Sequence, residues 1–137
     1  MLSPLRSLAA AVAILACACA STNDAWVELA ALKAERLTLD AATAGAFQEA
    51  HAAALGASTT LGEYKARMIS WHELTDRIMV LVHAIDQSAH NAAVKLANGD
   101  ASELSRLRGL VCILGETVRA AGVNVLTPGR FAQRCAQ

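Results

Sequence analysis

Three of the four histidines stand between positions 72 and 90 and alternate with aspartates, giving His72, Asp76, His83, Asp86 and His90. Imidazole and carboxylate are suitable ligands for zinc, nickel or copper. On a helix turning 100° per residue these five side chains, together with Met79, fall within about 40° of one line. Spacing limits what such a line holds. His72 and Asp76 are one turn apart and fit one ion, as do Asp86 and His90. His83 and His90 lie ~10 Å apart along the axis, too far to share an ion whose ligands sit about 2 Å away. The line therefore supplies two-ligand half-sites for a divalent metal. A third ligand must come from another element, where His51, Glu49 and Glu116 are the candidates. The competing interpretation is a solvated flank on which His and Asp act as ordinary i,i+4 partners.

The four cysteines fall into a front pair, Cys17 and Cys19, and a rear pair, Cys112 and Cys135. In an oxidising compartment the rear pair is expected to bond if its Cα atoms come within ~7 Å. The loop so closed contributes roughly 3 kcal/mol on the chain-entropy view. The alternative for Cys112 is a small buried hydrophobe on a helix.

Export is what the front of the chain suggests. Residues 1–20, MLSPLRSLAAAVAILACACA, place Arg6 and the amino terminus before an apolar stretch from Leu8 to Leu15 and small residues after it. That is the anatomy of a secretory signal. The apolar run is shorter than the ~20 residues that cross a bilayer as a helix.

Within it, Ile14-Leu15-Ala16-Cys17 resembles the lipobox of bacterial lipoprotein precursors, in which the cysteine is acylated and becomes the mature amino terminus. Leu15 departs from that pattern, which more often has a smaller residue. Ala18-Cys19-Ala20-Ser21 offers a second acylation candidate, and Ala18-Cys19-Ala20 also fits an A-x-A cleavage site that would release a soluble protein from Ser21. The resemblance, which covers residues 1–20 only, implies a membrane partner reached through a lipid anchor. Because Ala follows either cysteine, it further implies sorting to the outer membrane, facing the periplasm. Cysteine parity favours Cys19 and the lipobox favours Cys17, so both remain candidates.

Stepping along the remaining residues, 21–137, the composition indicates one all-α domain. The chain has 137 residues and no proline between Pro4 and Pro128. Uninterrupted stretches of this kind suit helices. Of the residues, 31 are Ala and only 4% are aromatic, which disfavours a sandwich or barrel. Twelve basic and twelve acidic residues are interspersed, leaving no electrostatic footprint for nucleic acid.

The spacing predicts an antiparallel three-helix bundle with a short fourth C-terminal helix. Thr22-Asn23-Asp24 would cap a first helix with Ala25, Trp26, Leu29, Leu32, Leu37, Phe47 and Leu55 along its spacing, kinked or split near Thr43 and Gly45, and ended by Gly56. Thr60-Leu61-Gly62-Glu63 has capping-box spacing for a second helix to about Asn98, with Gly99 beyond. Its seam would be Tyr64, Met68, Trp71, Thr75, Ile78, Val82, Ile85, Ala89, Ala92 and Leu96. Asp100 or Ser102 would cap a third, with Leu104, Leu107, Val111, Leu114, Val118 and Ala121 inward up to Gly122. Gly109 and Gly115 inside it suggest close approach of another helix. Thr127-Pro128 would open the terminal helix to about Cys135.

Catalytic machinery is not visible. There is no G-x-S-x-G, Walker A, G-x-G-x-x-G or C-x-x-C. His72-Glu73-Leu74-Thr75-Asp76 resembles the zincin helix H-E-x-x-H, but Asp replaces the second histidine and removes a required ligand. Arg106, Arg108, Arg119, Arg130 and Arg134 make the C-terminal part locally basic, a solvated face or a patch for an acidic partner or lipid headgroups. The expectation is a non-enzymatic, lipid-anchored envelope protein that presents a helix face to a protein partner, with divalent-metal binding on the His/Asp line as the alternative.

Overall fold

The computed structural model describes residues 4–125 and Cys135, with side chains described from Thr22 onward. Three helices account for almost all of it: α1 (Pro4–Ala57), α2 (Leu61–Ala97) and α3 (Glu103–Ala120). No strand occurs among the described residues. At 1.5 Å per residue the helices are ~81, ~56 and ~27 Å long.

Helix α1 begins at Pro4 and not at Asp24, and it passes through Thr43 and Gly45 without a break. Residues 8–21 hold Ala, Leu, Val, Ile, Cys and one Ser with no Gly or Pro, so nothing in the chain leaves the helix before Thr22 for a cap to act on. At the suspected weak point Thr43 Oγ1 donates to the Leu39 carbonyl at 2.9 Å, so the buried hydroxyl is satisfied inside the helix.

The connections 58–60 and 98–102 are short and turn the chain back on itself. The pairs His51–Tyr64, Phe47–Trp71 and Arg36–Asp86 run in opposite order along α1 and α2, which makes them antiparallel. Ser88 meets Glu103 near the α2–α3 turn, and Glu28 meets Arg108, so α3 lies against both helices. Counting from Ser88–Glu103, α3 reaches back only to about Trp71 and leaves the first turns of α2 uncovered.

The core lies along the common axis. In α3 Leu104, Leu107, Val111, Leu114 and Val118 are buried as their spacing predicts, whereas Ala121 is exposed. In α2 Met68, Ile78, Ile85, Ala89, Ala92 and Leu96 are buried, joined by Leu74 and Ser88, while Tyr64, Trp71, Thr75 and Val82 are half-buried. A helix between two neighbours buries a wider stripe than a single seam. The seam expected for α1 is out of phase. Ala25, Leu29 and Leu32 are buried, but Trp26, Leu37 and Leu55 are 39%, 59% and 56% exposed, and Leu39, Thr43 and Ala54 take the inward positions farther along.

Helix α1 runs through Gly56 to Ala57, whereas local chemistry bounds α2 and α3 where expected, with two differences. Thr60 caps α2, its Oγ1 accepting from Glu63 N at 3.2 Å, but the short bond of the Glu63 carboxylate is to Thr59 N at 2.8 Å, one residue before the cap. Gly99 at φ 76° closes α2 with Asp100 N donating to the Lys95 carbonyl and its own N–H to the Leu96 carbonyl. Ser102 makes no side-chain cap; Asp100 Oδ1 instead accepts from Ser102 N at 2.8 Å, fixing the turn two residues before it. No neighbour comes within 4 Å of a Cβ placed on Gly109, so the close approach expected there is absent.

Cys112 and Cys135 form a disulfide with Cα atoms 5.6 Å apart, both half-buried against the core. The link returns the end of the chain to the middle of α3. The fourth helix expected from Pro128 lies outside the described residues except for Cys135.

Candidate functional site

Helix α2 carries the His/Asp line on a face that solvent reaches: His72, Asp76, His83, Asp86 and His90 are all exposed. The two half-sites differ in their neighbours. Asp86 accepts a hydrogen bond from Arg36 Nη2 of α1 at 2.9 Å, and the same guanidinium also pairs with Asp40 at 3.4 Å. Its carboxylate therefore ties α1 to α2. His72, one turn before Asp76, sets its ring edge-on to Phe47 of α1 with centroids 5.8 Å apart.

None of the third-ligand candidates completes a site. His51 belongs to an aromatic cluster: its Nδ1 lies 2.7 Å from the Tyr64 hydroxyl, and its ring is parallel to that of Phe47 at 6.5 Å. Phe47 in turn meets Trp71 edge-on. This cluster packs α1 against α2 towards their turn, with Tyr64, Trp71 and Phe47 half-buried in it. Glu49 is exposed on α1. Glu116 lines a different surface, a groove of about 570 Å³ between α2 and α3 with Ser70, Trp71, Leu74, Arg77 and Thr117. Among the described residues no three His, Cys, Asp or Glu side chains come together as a metal site.

Three carboxylates are held below their ordinary pKa, and all three stand at helix ends. Hydrogen bonds from the Thr59 backbone and hydroxyl, then the Thr60 backbone, lower Glu63. Asp100 is lowered by the Ser102 N–H and hydroxyl. Glu103 is lowered first by the Lys95 ammonium, with Ser88 adding a hydrogen bond. These groups serve the turns, and none of them lies in the groove or on the His/Asp line.

The arginines of the C-terminal part are spoken for. Arg106 pairs with Glu103 at 3.5 Å, Arg108 Nε bonds Glu28 at 3.0 Å, and Arg119 Nε donates to the Gly115 carbonyl at 3.4 Å. Arg130 and Arg134 lie outside the described residues.

A different feature was not legible as a face beforehand. Ten large apolar side chains are exposed among the described residues, and nine of them belong to α1 or α2: Trp26, Val27, Leu37, Leu55, Leu61, Ile69, Met79, Val80 and Val94, leaving Ile113 alone on α3. Ile69, Val80 and Val94 recur at intervals of 11 and 14 residues, which places them within ~20° of one line on the outer side of α2. The run Ile78-Met79-Val80-Leu81-Val82 carried the signal, since five successive apolar residues cannot all face one side of a helix.

The chain matches no protein-family model, no curated protein and no solved structure.

Proposed function

We propose that this chain is an exported, lipid-anchored helical protein of the bacterial envelope, working without catalysis by presenting the outer face of its α1–α2 hairpin to a protein partner. The observation that carries the reading is that Ile69, Met79 and Val80 of α2 stand 60%, 61% and 71% exposed. Single exposed apolar residues are ordinary, whereas several along one helix offer apolar anchor points to a partner. An amphipathic helix of the partner laid along Ile69, Met79 and Val80 would cover them.

The lipobox-like Ile14-Leu15-Ala16-Cys17 supports the anchor. Every described core residue, from Ala25 onward, lies after Cys17, Cys19 and Ser21, so cleavage at any of the three leaves that core in the mature chain. The rear disulfide agrees with an oxidising compartment.

Two measurements test the proposal together. Palmitate label should enter the protein and vanish when Cys17 and Cys19 are both changed to Ala. A photo-crosslinking residue at Val80 should yield one discrete adduct in living cells, and the same residue at Ile113 should yield none. Undiminished export of unlabelled protein removes the anchor; equal crosslinking from both positions removes the face.

A second reading, binding of zinc, nickel or copper, keeps one supporting observation: His72 and Asp76 are both exposed and one turn apart. Calorimetric titration decides it. Binding no tighter than millimolar, or binding unchanged after His72, His83 and His90 are replaced by Ala, ends that reading.

A further inference from the structure

We infer that the end of the bundle carrying Trp26, Val27 and Val94 rests on the lipid surface to which the chain is anchored. The inference builds on the acylated-cysteine proposal and adds an orientation to it: which end of the molecule touches lipid, and which face is left for a protein.

Helix α1 runs from Pro4 to Ala57, so Cys17 and Cys19 stand on the same helix as Ala25, the first described core residue. Along a helix Cys17 precedes Ala25 by ~12 Å and Cys19 by ~9 Å. Even a fully extended chain would separate Cys17 from Ala25 by no more than ~28 Å. Residues 18–24, ACASTND, contain no Gly or Pro to make a hinge. An acyl chain on either cysteine thus holds one particular end of the bundle close to the bilayer.

That end is built from the first packed turns of α1, the last turn of α2 and the connection 98–102. Ten residues back from Arg36 and ten on from Asp86, its partner, bring Trp26 level with Leu96. Trp26 is 39% exposed, Val27 61% and Val94 53%, so apolar side chains rim this end on both helices. Indole, with an apolar body and one N–H donor, is suited to the boundary between headgroups and acyl chains.

Charge at the same end does not favour an anionic surface. Lys95 and Arg106 both pair with Glu103, and Arg108 pairs with Glu28, while Asp24 and Asp100 add two further carboxylates. The contact is therefore apolar insertion into lipid, insensitive to headgroup charge. It divides the exposed apolar residues of α1 and α2 in two: Trp26, Val27 and Val94 meet lipid, and the six farther from the anchor remain for the protein partner.

Tryptophan quenching tests this directly, because the chain has only Trp26 and Trp71. Trp71 stands 25 residues from Leu96 along α2, ~37 Å from the anchored end. The full-length precursor is expressed in a lipidating host, and the processed protein is reconstituted in phosphatidylcholine vesicles brominated near the headgroup. In the W71F variant Trp26 emission should fall about twofold and shift to the blue, whereas in W26F Trp71 emission should stay unchanged. Replacing a third of the lipid with phosphatidylglycerol should alter neither result. The wild-type protein, with both indoles, should lose an intermediate fraction and does not depend on either variant folding. Intact mass separates the two ways of failing. Acyl chains present with Trp26 unquenched overturn the lipid-facing end and leave the anchor standing; no acyl chains overturn the anchor and this inference with it.

Discussion

Glu103 shows how much a single side chain can depend on where its helix begins. It opens α3 with its side chain only 11% exposed, accepting from Ser88 Oγ at 3.1 Å and pairing with Lys95 at 3.3 Å and Arg106 at 3.5 Å. The Lys95 hydrogen bond is the main reason that its pKa lies below the ordinary 4.5. A carboxyl whose folded pKa is depressed stabilises the fold above its unfolded pKa and loses that contribution as pH falls through the folded value. Glu63 and Asp100 act in the same direction. The thermal midpoint should therefore be level from neutral pH to about pH 5 and fall below it. E103Q should start lower at pH 7 and descend less steeply, so parallel curves for the two proteins would contradict this assignment. In the sequence Glu103 stands three residues before Arg106, and nothing there ties it to α2. Its meeting with Ser88, fifteen residues away, depends on the angle at which α3 returns along α2.

At the scale of the element, the ends were legible and the middles less so. Thr60, Gly99, Asp100 and Gly122 announced their turns because capping is local: a side chain or a positive φ satisfies backbone groups within four residues. Gly109 misled for the opposite reason. A glycine inside a helix is costly unless something needs the space, and only tertiary structure shows that nothing does. Gly109→Ala should accordingly stabilise the protein by about 0.5–1 kcal/mol, since Ala is the better helix former. Gly99→Ala should destabilise it by about 1 kcal/mol or more, because φ there is 76° and a Cβ strains that region. Urea unfolding of the two variants gives the signs; a stabilising Gly99→Ala or a destabilising Gly109→Ala would refute this account of the ends.

For the molecule as a whole, stability rests on three helices meeting along one line. Leu32, Met68, Ile85, Leu107 and Leu114 are its largest fully buried side chains and come from all three. Leu107→Ala should cost about 2–5 kcal/mol, as truncations in a dense core do. Leu37→Ala, at a position 59% exposed, should change stability by under about 0.5 kcal/mol. Denaturant midpoints measure both, and comparable losses would mean that the phase of α1 is not the one described. Leu37 and Leu107 look alike in the sequence. They part company because one is enclosed between two other helices and the other is mostly open to solvent.

By itself the sequence determined the all-helical class, the three-helix order, the turns and the inward face of α3, since each follows from periodicity and capping over a few residues. It also made Cys112 and Cys135 candidates for pairing. Tertiary structure alone decided which residues of α1 point inward, that Asp86 spends its charge on Arg36, that His51 joins Tyr64, and that Ile69, Val80 and Val94 of α2 stay exposed. The reason is physical: a helix rich in Ala has little amphipathic contrast, so its phase about its own axis is set by what packs against it, and that phase assigns every side chain to core, neighbour or solvent.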